Sequence, residues 1–170
     1  MPTDTTLKTL VDCLGLSPQG LTTSQLSTAV KDLCMDSREV KPGDVFVALK
    51  GQSTHGIDYI DQAIENGCIA VLVDSQDFDC SVPSVRIDNL RQHLPVLAST
   101  YYSEAAQVEV IGVTGTNGKT SVSYFISQLL NQLGVKNGLI GTLGVTHSTA
   151  VSNNTTPDIL TLYKILHQYH

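Results

Sequence analysis

The residues with the clearest chemical meaning form a glycine-spaced loop near residue 115. An apolar run enters Gly112-Val-Thr-Gly-Thr-Asn-Gly-Lys-Thr-Ser121, and an amphipathic stretch follows it. Gly112, Gly115 and Gly118 can adopt positive φ, so successive backbone N–H groups can turn toward one anion at the start of a helix. Lys119 would reach the β- and γ-phosphates, and the hydroxyl of Thr120 would ligate Mg²⁺. The pattern predicts binding of a nucleoside triphosphate.

The loop is a variant of the strict phosphate-binding pattern. That pattern asks for glycine at position 113, where this chain has Val113 with Gly112 before it. The alternative is a tight strand-to-helix turn in which Lys119 is only a solvated residue of the first helical turn. The apolar run, the Gly-Lys-Thr sequence and the amphipathic helix seldom coincide by chance, which favours the phosphate-binding interpretation.

Composition limits the classes of function. The net charge is −6, and the ten Lys and Arg residues form no run, which argues against a nucleic-acid surface. The chain lacks an apolar run of the ~20 residues needed to span a membrane and lacks a signal-peptide pattern, so we expect a cytoplasmic protein. The four cysteines show no C-x-x-C spacing, so we expect buried thiols without a disulfide or metal: Cys13, Cys34, Cys68 and Cys80.

Hydrophobic periodicity predicts a small α/β domain over residues 1–103. A helix carries Leu7, Leu10, Val11 and Leu14 on one face, and a later strand, helix and strand have the spacing of a right-handed parallel crossover. A further helix from Asn89 to about Ser103 places Leu90, Leu94, Leu97 and Ala98 inward, with Pro95 kinking it or starting its main segment. The remaining predicted elements are the strands Val45–Leu49, Ile69–Val73 and Ser84–Asp88 and a helix face of Ile57, Ile60, Ala63 and Ile64.

A second pattern begins at residue 104. It predicts a strand from Val108, the phosphate loop, a helix, a strand from Val135 to about Ile140 and a last helix from Asp158 to His170. The fold class is therefore α/β, with the small N-terminal domain followed by the start of a P-loop, doubly wound, parallel-sheet ATP-binding domain. Too few strands follow Val108 to complete such a sheet, so we expect a truncated domain. The inward face of the first helix would carry Val122, Phe125, Ile126, Leu129, Leu130 and Leu133.

Two further motifs accompany the phosphate loop. One is Cys34-Met-Asp-Ser-Arg-Glu-Val-Lys-Pro-Gly-Asp-Val-Phe-Val-Ala-Leu49, followed by Gly51, His55-Gly-Ile-Asp-Tyr-Ile60 and Ala63-Ile-Glu-Asn-Gly67, and the other is Asn154-Thr-Thr-Pro157. The three motifs together resemble the Mur ligase family, most of all its MurE branch. The resemblance covers roughly residues 30–170, and the family shares the Val113 departure. It implies an ATP-dependent ligase that adds the third amino acid to UDP-N-acetylmuramoyl-L-alanyl-D-glutamate through an acyl phosphate, in peptidoglycan synthesis.

The resemblance also implies roles for particular residues. Lys119 would be catalytic, and Thr120 would hold Mg²⁺. The family's carbamoylated lysine, acidic metal ligand and amino-acid pocket are expected beyond His170, so we expect no ligation by this chain alone. The ATP-binding residues would be Gly115, Thr116, Asn117, Gly118, Lys119, Thr120 and Ser121, and the UDP-muramoyl substrate would contact Met35, Ser37, Gln52, Ser53, Thr54, Asn154, Thr155 and Thr156.

Other interpretations stay open at the level of sequence. The chain could belong to an unrelated P-loop NTPase or kinase, or it could be a non-catalytic UDP-sugar-binding module. His55 could touch substrate or be a plain turn residue. His167 and His170 could form half of a metal site, although a solvated helix end is the expected role. The added amino acid and the oligomeric state are not encoded in these motifs.

Overall fold

The computed structural model describes residues 5–16, 20–51, 54–74, 80–142, 144–145 and 157–170. The chain divides into two compact units, Met1–Tyr101 and Tyr102–His170, here called unit 1 and unit 2. Unit 1 contains α1 (Leu7–Asp12), α2 (Thr23–Leu26), β1 (Leu33–Cys34), β2 (Val45–Ala48), a 3-10 helix (Gly56–Tyr59), α3 (Ile60–Glu65), β3 (Ala70–Val73), β4 (Ser84–Arg86) and α4 (Leu90–Tyr101). Unit 2 contains a 3-10 helix (Ser103–Gln107), α5 (Lys119–Gln132), β5 (Ile140–Gly141), β6 (Gly144–Val145) and α6 (Ile159–Tyr169).

Unit 1 is built on a four-stranded parallel sheet. The strands lie in the order β1-β2-β3-β4, and each neighbouring pair is parallel. The predicted crossover is therefore confirmed, with β2 and β3 joined through the 3-10 helix and α3. The short edge strand β1 was not predicted, because two residues carry no detectable alternation. It pairs Leu33 with Val45 and Cys34 with Phe46.

The central strands β2 and β3 are buried at every residue. Strand side chains alternate between the two faces of a sheet, so burial at all positions means that both faces are covered. This is why these segments read as continuous apolar runs in the sequence. One face forms a hydrophobic core with α3, made of Val40, Phe46, Ala48, Ile60, Ala63, Cys68, Val71 and Val73.

The predicted inward face of α4 is also confirmed. Leu90, Leu94, Leu97 and Ala98 are all buried, and α4 packs against α1. Tyr101 ends the helix, and its hydroxyl donates a hydrogen bond to the backbone carbonyl of Val30 at 3.2 Å inside the protein. Pro95 lies within α4. Leu14, predicted on the inward face of the first helix, is only half-buried in the turn after α1. Helix α2 was not predicted from the sequence.

The strand predicted from Val108 is wrong for the residues that the structure describes. Residues 108–114 have no regular secondary structure, and Val110 and Ile111 are 68% and 58% exposed. A strand needs a neighbour to pair its N–H and C=O groups, and no described residue supplies one here. The second predicted strand is reduced to β5, which pairs with β6 in an antiparallel hairpin.

Helix α5 forms where the sequence predicts it, but the described residues do not cover its apolar face. No residue of α5 is buried, and Phe125, Leu129 and Leu133 are 63%, 60% and 77% exposed. Val122 is also exposed, whereas Ile126 and Leu130 are half-buried. The helix can form without a partner because its backbone hydrogen bonds lie within the segment, so the prediction of inward packing was wrong while the prediction of a helix was right.

Helix α6 packs against the 3-10 helix Ser103–Gln107 within unit 2. Its N-cap is Asp158, whose carboxylate accepts hydrogen bonds from the backbone N–H groups of Leu160 and Thr161. Leu160 and Ile165 are its buried residues. The side chain of His167 is only 14% exposed and its Nδ1 lies 3.3 Å from a carboxylate oxygen of Glu104, so the expectation of a solvated histidine was wrong.

All four cysteines lie in the described residues, and none forms a disulfide. Cys68 is buried, and the other three are half-buried. Burial raises the pKa of the Cys68 thiol to about 11. Because the thiolate is the reactive form, Cys68 is a packing residue at neutral pH.

Shortening a core residue of α4 should destabilise unit 1 far more than shortening its neighbour. Leu97 is fully buried and Val96 is 42% exposed. We expect Leu97→Ala to lower the free energy of unfolding by about 2–5 kcal/mol and Val96→Ala to change it by less than about 0.5 kcal/mol. Urea unfolding followed by circular dichroism measures both. Equal losses would contradict the described packing of α4.

Candidate functional site

A cavity of about 380 Å³ opens in unit 1, beside the ends of two neighbouring strands. The turn after β1 supplies one side of it, and the chain after β2 supplies another. In a parallel sheet the carboxyl ends of adjacent strands meet at one edge, which is where ligands commonly bind. The lining residues are Met35, Asp36, Ser37, Arg38, Phe46, Gly56, Tyr59 and Gln62.

Ser37 is the most firmly held polar residue of this cavity. It is 5% exposed, and its hydroxyl donates a hydrogen bond of 2.6 Å to Oε1 of Gln62 on α3. The side-chain amide of Asn66 donates to the backbone carbonyl of Ser37 at 2.8 Å. Both bonds come from α3 and its C-cap, more than 20 residues away in sequence, so this element holds the side chain and the backbone of Ser37 in place.

Arg38 presents a guanidinium group to solvent at the rim of the cavity. It makes a two-point contact with the Asp36 carboxylate, from Nε to Oδ1 at 2.8 Å and from Nη2 to Oδ2 at 2.5 Å. The hydrogen bond from Arg38 is the main cause that lowers the pKa of Asp36. The arginine side chain is 73% exposed, so a phosphate could approach it without displacing protein atoms other than this carboxylate.

Aromatic side chains and a close backbone approach complete the lining. Phe46 comes from β2, and Tyr59 is 43% exposed at the end of the 3-10 helix. A Cβ added at Gly56 would lie 2.7 Å from the Cα of Ala48, so glycine is required for the 3-10 helix to lie against β2. The cavity thus combines flat apolar surface with hydroxyl, amide and guanidinium groups, the combination that suits a nucleoside diphosphate.

The structure brings two of the predicted substrate-binding residues to this cavity, Met35 and Ser37. Thr54 is exposed in a bend, where its carbonyl accepts the Gly51 N–H at 2.8 Å, and it lies outside the lining. The other predicted residues, Gln52, Ser53, Asn154, Thr155 and Thr156, lie outside the described residues.

His55 shapes the chain next to the cavity. Its Nδ1 accepts the Ile57 N–H at 3.2 Å and so caps the 3-10 helix. Its Nε2 lies 3.2 Å from Oδ1 of Asp74, at the end of β3. Both ring nitrogens thus face protein groups, which favours the turn role over direct contact with substrate.

The predicted phosphate loop lies in unit 2 and leads directly into α5. Gly115 and Gly118 have φ of 148° and 77°, values that favour glycine, whereas Gly112 is not among the residues with positive φ. Gly118 is the N-cap of α5, and no side chain caps this end of the helix. The first N–H groups of α5 therefore remain available to an anion.

Lys119 is folded back onto the loop that precedes it. Its ammonium donates to the carbonyl oxygens of Gly115 at 2.5 Å and Thr116 at 3.4 Å. A lysine that contacts phosphates must leave these carbonyls. Thr116, Asn117 and Ser121 are exposed beside it.

The hydroxyl of Thr120 lies 3.0 Å from that of Thr142, also in unit 2. A lone hydroxyl is a weak cation ligand that needs phosphate oxygens and water to complete a magnesium shell. Among the described residues no cluster of three or more His, Cys, Asp or Glu could hold a metal ion. Likewise, none of the helices in that part of the chain has the length and apolar character needed to cross a membrane.

Several cavity residues were not predicted as site residues from the sequence. Asp36 and Arg38 flank Ser37 in the motif, but at the level of sequence alone a polar turn is the favoured interpretation of these three residues. Gln62 and Tyr59 are exposed residues, and no sequence pattern separates them from other exposed residues of a helix.

Two family models match the chain. The model described as "Mur ligase family, catalytic domain" matches residues 29–102, and the "Mur ligase middle domain" matches residues 113–170. They cover parts of unit 1 and unit 2 respectively.

Two curated relatives illustrate what the chain is similar to. The UDP-N-acetylmuramoyl-L-alanyl-D-glutamate--2,6-diaminopimelate ligase of Bacillus licheniformis is 41% identical over 133 residues, which is 76% of this chain and 27% of the relative. The enzyme of the same name from Chromobacterium violaceum is 38% identical over 154 residues, 85% of this chain and 31% of the relative. The chain thus spans less than a third of the length of these relatives.

Solved structures share the fold. A UDP-N-acetylmuramoyl-L-alanyl-D-glutamate--2,6-diaminopimelate ligase matches with a TM-score of 0.67 at 23% identity, over 98% of this chain and 33% of that one. A MurF structure from Acinetobacter baumannii matches with a TM-score of 0.62 at 25% identity, over 99% of this chain and 34% of that one.

Removing the guanidinium of Arg38 should raise the pKa of the Asp36 carboxyl toward its ordinary value. The pKa is lowered in the folded protein, so the stabilisation from this pair is present above the unfolded pKa of about 3.9 and is lost as the pH falls through the lower folded value. Carboxyl-carbon NMR titration of wild type and Arg38→Met measures the change. Arg86→Met, which breaks a similar surface pair with Asp88, is the control. An Asp36 pKa that is the same in wild type and Arg38→Met would contradict the assignment.

Proposed function

Because the chain belongs to the Mur ligase family, we propose that it forms the substrate-anchoring and ATP-loop part of an ATP-dependent acid–amino-acid ligase. The substrate would be UDP-N-acetylmuramoyl-L-alanyl-D-glutamate, and the added amino acid 2,6-diaminopimelate, as in the names of the relatives. The protein would thereby serve peptidoglycan synthesis. The observation that carries this proposal is the cavity of unit 1, where the motif residues Met35 and Ser37 meet Arg38 and Tyr59.

The cavity supports a uridine diphosphate end of the substrate. Ser37 and Gln62 present an acceptor and donor pair, Tyr59 presents flat surface, and Arg38 offers a planar donor fork for a phosphate. The net charge of −6 makes such a local cation important, because the protein as a whole repels anions. The cavity would therefore anchor the nucleotide, and the muramoyl peptide would extend away from it.

The loop of unit 2 fits a triphosphate in three respects. The start of α5 has no side-chain cap, Gly115 and Gly118 adopt positive φ, and Lys119 is close enough to contact the loop carbonyls. Release of Lys119 from Gly115 would let its ammonium offset charge on the phosphates, and the Thr120 hydroxyl would be one ligand of Mg²⁺. ATP would supply the phosphoryl group that activates the substrate carboxylate for attack by the incoming amine.

Two variants, one in each unit, test the proposal when each is titrated with both ligands. By calorimetric titration, we expect Ser37→Ala to weaken binding of UDP-N-acetylmuramoyl-L-alanyl-D-glutamate about tenfold and to leave Mg·ATP binding unchanged, because one hydrogen bond to the nucleotide is lost. We expect Lys119→Ala to weaken Mg·ATP at least about tenfold and to leave the muramoyl nucleotide unchanged, because a charge-assisted contact is lost.

Each variant is the control for the other, and Lys136→Ala, which removes an exposed lysine of unit 2, controls for net charge. A folded chain that binds Mg·ATP but no muramoyl nucleotide would contradict the ligase proposal and favour another P-loop NTPase. Binding of the muramoyl nucleotide alone would favour a UDP-sugar-binding module.

A further inference from the structure

The hydrogen bond between Ser37 and Gln62 determines which hydrogen-bonding groups a bound base must present to this pair. A serine hydroxyl has one proton, and here that proton is donated to Oε1 of Gln62 at 2.6 Å. The lone pairs of the Ser37 oxygen can then only accept from a ligand. The amide nitrogen of Gln62 carries two N–H groups and can only donate. The pair therefore presents one acceptor next to one donor.

This arrangement is held in place rather than free to rotate. Ser37 is 5% exposed, and Asn66 fixes its backbone carbonyl at 2.8 Å. Gln62 lies in α3 and Asn66 is the C-cap of that helix, one turn later, so the same short element holds both the side chain and the backbone of Ser37. Reversing this hydrogen bond would require the Gln62 amide to rotate so that its NH2 group faced the Ser37 oxygen.

We propose that Gln62, acting through Ser37, is the residue that makes this cavity select uracil over cytosine; the inference rests on the proposed function. The Ser37 oxygen accepts the N3–H of uracil, and the Gln62 amide donates to the adjacent O4. Cytosine presents the opposite pattern on this edge, with an acceptor at N3 and an amino donor at N4. Cytosine would therefore place its N3 acceptor against the Ser37 oxygen and its N4 amino donor against the Gln62 amide.

The lining around the pair suits a pyrimidine ring. Tyr59, which is 43% exposed, provides flat surface, and Arg38 at the rim can take the diphosphate that follows the ribose. Gln62 itself is exposed as a residue, so its amide group is reachable from the cavity while its oxygen holds Ser37. Gln62 is thus a specificity-determining residue and not one that reacts.

The test uses an isosteric variant and a ratio of affinities. Gln62→Glu keeps the shape and the acceptor for Ser37 but replaces the amide donor by a carboxylate oxygen. Calorimetry or competition would give the Kd of UDP-N-acetylmuramoyl-L-alanyl-D-glutamate and of its cytidine counterpart for wild type and variant. We expect wild type to prefer the uridine compound, and Gln62→Glu to reduce that preference about tenfold or more, because O4 then meets an acceptor while the N4 amino group gains one.

Gln92→Glu adds the same charge on α4, outside the cavity lining, and should leave the preference unchanged. If Gln62 were only structural, both compounds would weaken equally in Gln62→Glu and the ratio would stay constant; that result overturns the inference while leaving the proposed function standing. Failure of the folded wild type to bind either compound would instead overturn the proposed function, and the inference with it.

Discussion

The parallel pairing of β2 with β3 is the constraint on which the described site depends. Both strands are buried at every residue, and their register pairs Val45 with Ala70 at one end and Ala48 with Val73 at the other. This register fixes where β1 and β2 end, and their ends bring the turn at Ser37 and the chain at Gly56 to one edge of the sheet. Helix α3 then holds the turn through Gln62 and Asn66. The cavity is thus a product of the sheet rather than of any single loop.

The predicted phosphate loop of unit 2 depends on local backbone geometry and not on strand pairing. Helix α5 and the turn at Gly118 satisfy their own backbone geometry locally, so the N-terminal end of the helix forms even though the apolar side chains of α5 are exposed. A strand has no such independence, and residues 108–114 accordingly stay without regular structure. Unit 2 therefore shows which features of the predicted phosphate loop form locally and which need a surrounding sheet.

Features set by local sequence pattern were predicted correctly, whereas features that depend on contacts between distant residues were not. Continuous apolar runs predicted β2 and β3, helical spacing predicted the buried face of α4, and three motifs predicted the Mur ligase family correctly. The strand at Val108 was wrong because strand formation depends on a partner that periodicity cannot supply. Gln62 was missed because its contact with Ser37 joins residues 25 positions apart, and no local pattern marks such a pair. The functional roles of the site residues stay predictions.

The central claim is that the cavity of unit 1 anchors the uridine end of the muramoyl substrate. Backbone amide NMR of the labelled chain, titrated with UDP-N-acetylmuramoyl-L-alanyl-D-glutamate in the absence of ATP, tests it most directly. The account predicts shifts concentrated in residues 35–38 and 56–62, with no comparable change along Lys119–Gln132. Shifts centred on the loop before Lys119, or saturation without change at Ser37 and Gln62, would contradict it.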